Sequence, residues 1–223
     1  MFIHTNVPPI QEMSDRITNS QRWYTTPSGV KYPSVTTVLG AKEKPFLAEW
    51  RNSLGPKKAD AETKRCADRG TAVHKMAEDY LNNVEKPAKG HDNLNVKLFN
   101  QLKLRINKIN NIRAQEVPLY SDILKIAGRV DVVGEYDGVL SIIDFKTSNN
   151  NKTEEMVEDY FIQCTAYAIM YEELYGEFIE DIVVLIAVEK GMMPLLYKKK
   201  IDDYVKPLCE RINMFYSNQK GKS

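Results

Sequence analysis

The chain of 223 residues is 43% hydrophobic and 27% charged, which excludes a disordered or fibrous chain and predicts one compact domain overall. With 31 Lys and Arg against 30 Asp and Glu the formal charge is +1, so the molecule is not a polycation that coats nucleic acid, and any nucleic-acid site is local. At this length folding buries roughly 70% of the unfolded chain's surface, so a metal, where present, serves chemistry rather than stability.

Three cysteines, Cys66, Cys164 and Cys209, are odd in number and far apart, which speaks against a disulfide framework and for a reducing compartment. No apolar run approaches a membrane span, and the start, MFIHTNVPPIQEMSDRI, lacks the order of a signal peptide. The expectation is a cytoplasmic protein with no membrane partner.

In chain order, a loose start leads into RWYTTPSGVKY, which reads as a hairpin turning at Pro27-Ser28-Gly29. Ser34 is placed to cap a short helix over VTTVL, and Pro45 to open a helix over PFLAEWRNSL that Gly55 and Pro56 end. These form an N-terminal portion, residues 1–55, packed on a core of residues 56–223. From about Lys57 to Asn82 a long helix aligns Ala67, Thr71, His74, Glu78 and Leu81 along one side. A second helix, about Leu94 to Asn110, carries Leu98, Leu102, Ile106 and Ile109 as its buried stripe. The period then changes to two: RAQEVPLYS, KIAGRVDVVGEY, GVLSIIDFKT, and later IEDIVVLIAVEK and MPLLYKKKI read as strands. A helix from about Glu154 to Tyr175, closed by Gly176, separates the third from the fourth, and an amphipathic helix over about Asp203 to Tyr216 follows the last. The order predicts an α/β fold with a mixed central β-sheet flanked by helices and a helical N-terminal portion.

The most informative stretch is GRVDVVGEYDGVLSIIDFKTS, because Asp137-Gly138 is a strong signal for a two-residue hairpin turn. Counting outward from that turn sets Tyr136 opposite Val139, Glu135 opposite Leu140, Asp131 opposite Asp144 and Arg129 opposite Lys146. Alternation puts Asp144 and Lys146 on the face of Asp131, with Ile143 and Phe145 on the other. Two carboxylates about 5 Å apart repel by roughly 3 kcal/mol at an effective dielectric of 20. Either a buried ion-pair cluster with Lys146 and Arg129 offsets this, holding the strands in register, or a divalent cation does. The second arrangement, two oxygen ligands and an ammonium two residues on, suits hydrolysis of a phosphodiester.

Asp131, followed thirteen positions on by Asp144-Phe145-Lys146, resembles the signature of the PD-(D/E)XK nuclease superfamily. Flanking motifs in order, Arg69-Gly70-Thr71 with His74 upstream and Gln163 with Tyr167 downstream, are similar to its RecB-like branch. YPSVTTVL and RGTAVHKMAEDYL further resemble the mitochondrial genome maintenance exonucleases and related phage enzymes. The resemblance implies a restriction-endonuclease-like core with His74, Asp131, Asp144 and the Phe145 carbonyl as metal ligands. It implies Asp131, Asp144 and Lys146 as catalytic groups, Glu116 as a further acid, and Gln163 and Tyr167 along the cleft; Arg69, Thr71, Arg129 and Thr147 are further candidate contacts to DNA. Mg²⁺ or Mn²⁺ is the implied cofactor, and an imidazole ligand favours Mn²⁺ at least equally. Relatives with an iron-sulfur cluster use four cysteines, and this chain has three, so no cluster is expected.

The implied activity is a metal-dependent DNA exonuclease acting on single-stranded ends or flaps, with replication or recombination proteins as partners, and in host cytoplasm if phage-encoded. A non-catalytic DNA-binding module of the same fold, or an endonuclease or RNase on the same core, are the alternatives. For single residues plain readings stay open: Glu116 as a solvated strand acid, Arg69 and Arg129 as partners of neighbouring acids, Tyr160 and Tyr167 as core, Ser34 as a helix cap. Trp23 and Trp50 read as core packing rather than base stacking. The lysines 198–200, with Lys220 and Lys222, read as a solvated strand end and tail or as a DNA contact.

Overall fold

The computed structural model of the chain describes residues 1–5, 7–8, 11–42 and 44–220; Lys222 lies outside them. It opens with a small antiparallel sheet, β1 (Ser14–Thr18), β2 (Gln21–Thr25) and β3 (Lys31–Pro33), in that order. The expected hairpin is β2–β3, with Gly29 at φ 84° in its turn. β1 is the strand that the pattern reading lacks: all five residues are exposed, so no burial period marks it, and it exists by pairing with β2.

Helix α1 (Val35–Leu39) is capped by Ser34, whose Oγ accepts the Thr37 N–H at 3.0 Å. Helix α2 (Pro45–Leu54) ends at Gly55, φ 78°, and buries none of its residues. Helices α3 (Pro56–Leu81) and α4 (Asn93–Ile106) follow. The Asp92 carboxylate caps α4 by accepting the Asn95 N–H at 3.0 Å. Leu98, Leu102 and Ile106 are fully buried as the spacing requires, whereas Ile109 opens the next strand instead of closing the helix.

The main sheet runs β4 (Ile109–Ser121), β5 (Ile126–Tyr136), β6 (Val139–Ser148), β7 (Asp181–Val188), β8 (Leu195–Lys200), neighbours in that order. Only β6 and β7 are parallel, and α5 (Glu158–Tyr175), which Gly176 ends in a left-handed cap at φ 70°, makes the crossover between them. Helix α6 (Asp202–Lys220) closes the described chain.

The sheet is buried on both faces. Ile143, Phe145, Val183 and Leu185 pack on α3 and α4 through Val73, Met76, Leu98 and Leu102. Ile142, Val184 and Ile186 pack on the opposite layer, where Phe161 and Ile162 of α5, Leu208 of α6 and Val38 of α1 meet. Each such aliphatic or aromatic side chain contributes roughly 1.5–3 kcal/mol on burial, so the two layers hold the central strands rigidly. No helix among the described residues is long and apolar enough to cross a membrane.

Candidate active site

The β5–β6 turn has Asp137 at φ 51° and Gly138 at φ 82°, and the ladder has the register that the turn dictates: Tyr136 with Val139, Glu135 with Leu140, Val132 with Ile143. There the ladder stops. Asp131 reaches across and its Oδ2 accepts the Phe145 N–H at 2.7 Å, so a carboxylate replaces a strand partner. In an extended strand a residue's N–H and C=O project to the same side, so the Phe145 carbonyl faces this same gap. Arg129 does not face Lys146, correcting the expectation from simple counting. It pairs with Pro118 of β4, and its guanidinium reaches the Glu116 carbonyl and, at 3.1 Å, Glu12.

Asp131 also departs from the face shared by Asp144 and Lys146. Those two point to the α5 layer, as their neighbour Ile142 does, and Lys146 Nζ lies 5.1 Å over the Tyr160 ring. Asp144 is 1% exposed, and Lys146 Nζ sits 2.5 Å from its carboxylate. Burial holds the Asp144 carboxyl above the usual range; the Lys146 charge opposes this and the Asp131 charge adds to it. Burial disfavours the Lys146 ammonium, yet Asp144 and Asp131 outweigh it and raise its pKa.

On β5, Val130 and Val133 belong to the α5-side core and Val132 to the α3–α4 core, so alternation breaks at Asp131. Glu116 of β4, between partners of Val130 and Val132, stands at φ 50°, a left-handed conformation rare for a residue with a Cβ. These two breaks bring both acids to His74 of α3, whose Nδ1 is 3.5 Å from Asp131 Oδ2 and 3.8 Å from Glu116 Oε1. His74, Glu116 and Asp131 each offer an atom within 4.8 Å of the others. Burial disfavours the imidazolium, but Asp131 and Glu116 more than compensate, and the His74 pKa rises to about 9.

The three residues open on a cleft of about 470 Å³ lined also by Gly70, Thr71, Glu78, Arg22 and Arg129. Glu78 is held by Lys75 at 3.1 Å. Arg22, on β2, was not indicated by the sequence, because nothing in the one exposed residue of a mostly covered strand announces what it will face. Along α3 the next residue, Arg69, faces a larger groove of about 800 Å³, walled by Phe46, Leu47, Trp50 and Leu54 of α2 and by Thr147 and Tyr160. Trp50 is 36% exposed there, so it is not the core residue expected; Trp23 is half-buried against Phe215.

Arg69 is 4% exposed and donates to Thr147 Oγ1 at 3.2 Å, Asn149 Oδ1 at 2.5 Å and Glu189 Oε2 at 2.6 Å. It ties α3 to the ends of β6 and β7, the reading in which it serves neighbouring acids. Thr71 is exposed on the cleft rim, its hydroxyl bonded to the Ala67 carbonyl. Gln163 donates to the Tyr167 hydroxyl at 3.0 Å, and both are buried. A Cβ on Gly128 would lie 2.7 Å from Tyr167 Cε1, so the glycine of GRVD makes room for the tyrosine of QxxxY. Lys198, Lys199 and Lys200 are engaged by Asp137, Glu154 and Asp181, respectively.

The donor set fits a divalent cation. One imidazole and two carboxylates converge, and a further acid, Asp144, is buried with the Lys146 ammonium 2.5 Å from its Oδ2. Asp144 stands outside the converging group, turned to Lys146 rather than to His74.

Residues 93–193 match the PD-(D/E)XK nuclease superfamily. Mitochondrial genome maintenance exonuclease 1 of Mus musculus is 26% identical over 172 residues, covering 71% of this chain and 50% of the relative. Its Homo sapiens counterpart is 28% identical over 173 residues with the same coverage. The chain thus spans about half the length of the curated relatives it matches. The crystal structure of SSO0001 aligns with 82% of this chain and 74% of its own, at 16% identity and a TM-score of 0.42. The matched stretch holds Glu116, Asp131, Asp144 and Lys146, while His74 and helix α2 lie before it.

Proposed function

Because residues 93–193 carry a PD-(D/E)XK nuclease domain, we propose that the chain is a metal-dependent DNA exonuclease that hydrolyses phosphodiester bonds at single-stranded ends or flaps. The observation that carries this reading is the convergence of His74, Glu116 and Asp131 within 4.8 Å, across the strand gap from the Asp144–Lys146 pair. His74, Asp131 and Glu116, with Asp144 and the Phe145 carbonyl completing the set, would hold the ion. A divalent ion there polarises a phosphate oxygen and lowers the pKa of a water. Lys146 keeps its charge in the buried site and is the group to orient the attacking water and to offset charge developing on the phosphate. Asp131 Oδ2, which accepts the Phe145 N–H, is also the oxygen that faces His74 Nδ1, so the bond that fixes the carboxylate also aims it at the ion.

The α2 groove supports an unpaired substrate. Phe46 is 62% exposed and Trp50 36%, on a helix that buries nothing, beside the Tyr160 ring under Lys146. Exposed aromatic faces in such a row bind bases by stacking, which a paired base does not offer.

The test is cleavage of linear and circularised single strands, labelled at either end, in Mg²⁺, Mn²⁺ or chelator. Cleavage of linear strands in either metal and resistance of circles fit the proposal; cleavage that persists in chelator sinks it. Activity in Mg²⁺ with none in Mn²⁺ would remove His74 from the ligand set.

A further inference from the structure

Phe46 and Lys152, at one end of the α2 groove, also line a separate cavity of about 470 Å³. Its floor is Arg211 of α6, 6% exposed. One side of that guanidinium is satisfied: Nη2 lies 3.1 Å from Asp159 Oδ1 and 3.8 Å from Glu158 Oε2. Its Nη1 is buried and has no hydrogen-bond partner among the described residues. A buried cationic N–H without an acceptor is costly, and a ligand oxygen removes the cost.

The rest of the cavity favours an anion. Asp159 is already shared by Lys44 at 2.7 Å, and Lys42 and Lys152 have no ion pair among the described residues. Four basic side chains, Lys42, Lys44, Lys152 and Arg211, stand against three acids, Glu155, Glu158 and Asp159. The first turns of α2 and α5 both end here without a side-chain cap, adding the positive ends of two helix dipoles.

We propose that this cavity is a phosphate-binding subsite, in which Arg211 Nη1, with Lys42 and Lys152, takes a phosphate of the strand whose bases lie in the α2 groove. The identity of the strand rests on the nuclease reading; the anion site does not. A phosphate monoester at a strand end and a diester within the strand present the same chemistry, and the test separates them.

Short single-stranded oligonucleotides, ending in phosphate or hydroxyl, are titrated into the full chain in chelator and followed by fluorescence anisotropy. Arg211→Gln is expected to weaken binding roughly tenfold, and Lys42→Ala, at an exposed position, by a smaller factor without touching the fold. Loss of the difference between phosphorylated and hydroxyl ends in the variants assigns the monoester; an equal loss for both assigns the diester. Unchanged affinity in Lys42→Ala and in folded Arg211→Gln overturns the subsite, as does failure of the wild-type chain to bind either oligonucleotide. Intact, phosphate-dependent binding with no cleavage in any metal would overturn the nuclease reading and leave the subsite standing.

Discussion

Asp131 accepts the backbone N–H of Phe145 at 2.7 Å, and so does two things: it closes the gap where β5 and β6 part and holds one carboxylate at the cleft. Asn in its place keeps an acceptor oxygen but loses the charge. Asp131→Asn is therefore expected to melt close to wild type yet to lose metal binding in calorimetric titration. Asp131→Ala leaves the Phe145 N–H without an acceptor and should lose about 1–3 kcal/mol in denaturant unfolding. Equal stability of the two variants would show that the bond does not hold the strands.

Lys146 is the cation beside a carboxylate that is 1% exposed, so its removal is not a clean catalytic knockout. Breaking such a pair from one side costs about 3–5 kcal/mol when the orphan stays charged. Asp144 has an alternative, because burial already holds its carboxyl above the usual range. In Lys146→Ala the main opposing charge is gone and that pKa rises further. An acid raised in the fold binds its proton more readily there than in the unfolded chain, so the variant's stability is greatest at low pH and falls as pH rises through the folded value. The gap in melting temperature from wild type should be wide at pH 8 and narrow near pH 5. Lys146→Met with Asp144→Asn should recover the fold but not cleavage.

Asp137 and Gly138 made half of this site legible. A two-residue turn with both residues at positive φ allows one register, and that register holds as far as Val132 opposite Ile143; the expected pair of Asp131 with Asp144, one step further, is not formed, because Asp131 bonds the Phe145 N–H instead. The departure of the strands beyond Val132 and Ile143 was not legible, since it depends on a side chain replacing a ladder bond. Arg69 and Tyr167 were singled out as site residues by their motifs, but both are buried: one braces Asn149 and Glu189, the other fills the space over Gly128. Motif membership does not distinguish a residue that touches substrate from one that shapes the strands that do. Neither β1 nor the face of α2 could be read from periodicity, because neither buries a stripe.

Glu116 gives the strain at the site a measurable form. Its φ of 50° costs an L-residue about 1–2 kcal/mol, and Gly avoids the cost. Glu116→Gly is therefore expected to raise the melting temperature by a few degrees while weakening Mn²⁺ binding. Glu116→Gln, which keeps the strain and loses the acid, should weaken binding without the gain. A Gly variant less stable than the Gln variant would show that Glu116 side-chain contacts, rather than backbone conformation, dominate its energetics.

His74 links metal binding to protons. Burial works against its charge, but Asp131 and Glu116 hold its pKa up to about 9 in the chain without an ion. A base raised in the fold adds stability that is complete below its ordinary pKa of about 6.5 and is lost as pH rises through about 9. A cation at the same nitrogen must expel that proton. At pH 7.5 Mn²⁺ titrations in buffers of different ionisation enthalpy should therefore report release of close to one proton per ion, and apparent affinity should climb about tenfold per pH unit until it levels near pH 9. In His74→Gln the proton release should vanish and the affinity should become nearly flat over the same range. Undiminished proton release in that variant would move the titrating ligand elsewhere, with Asp144 as the remaining raised group at the gap.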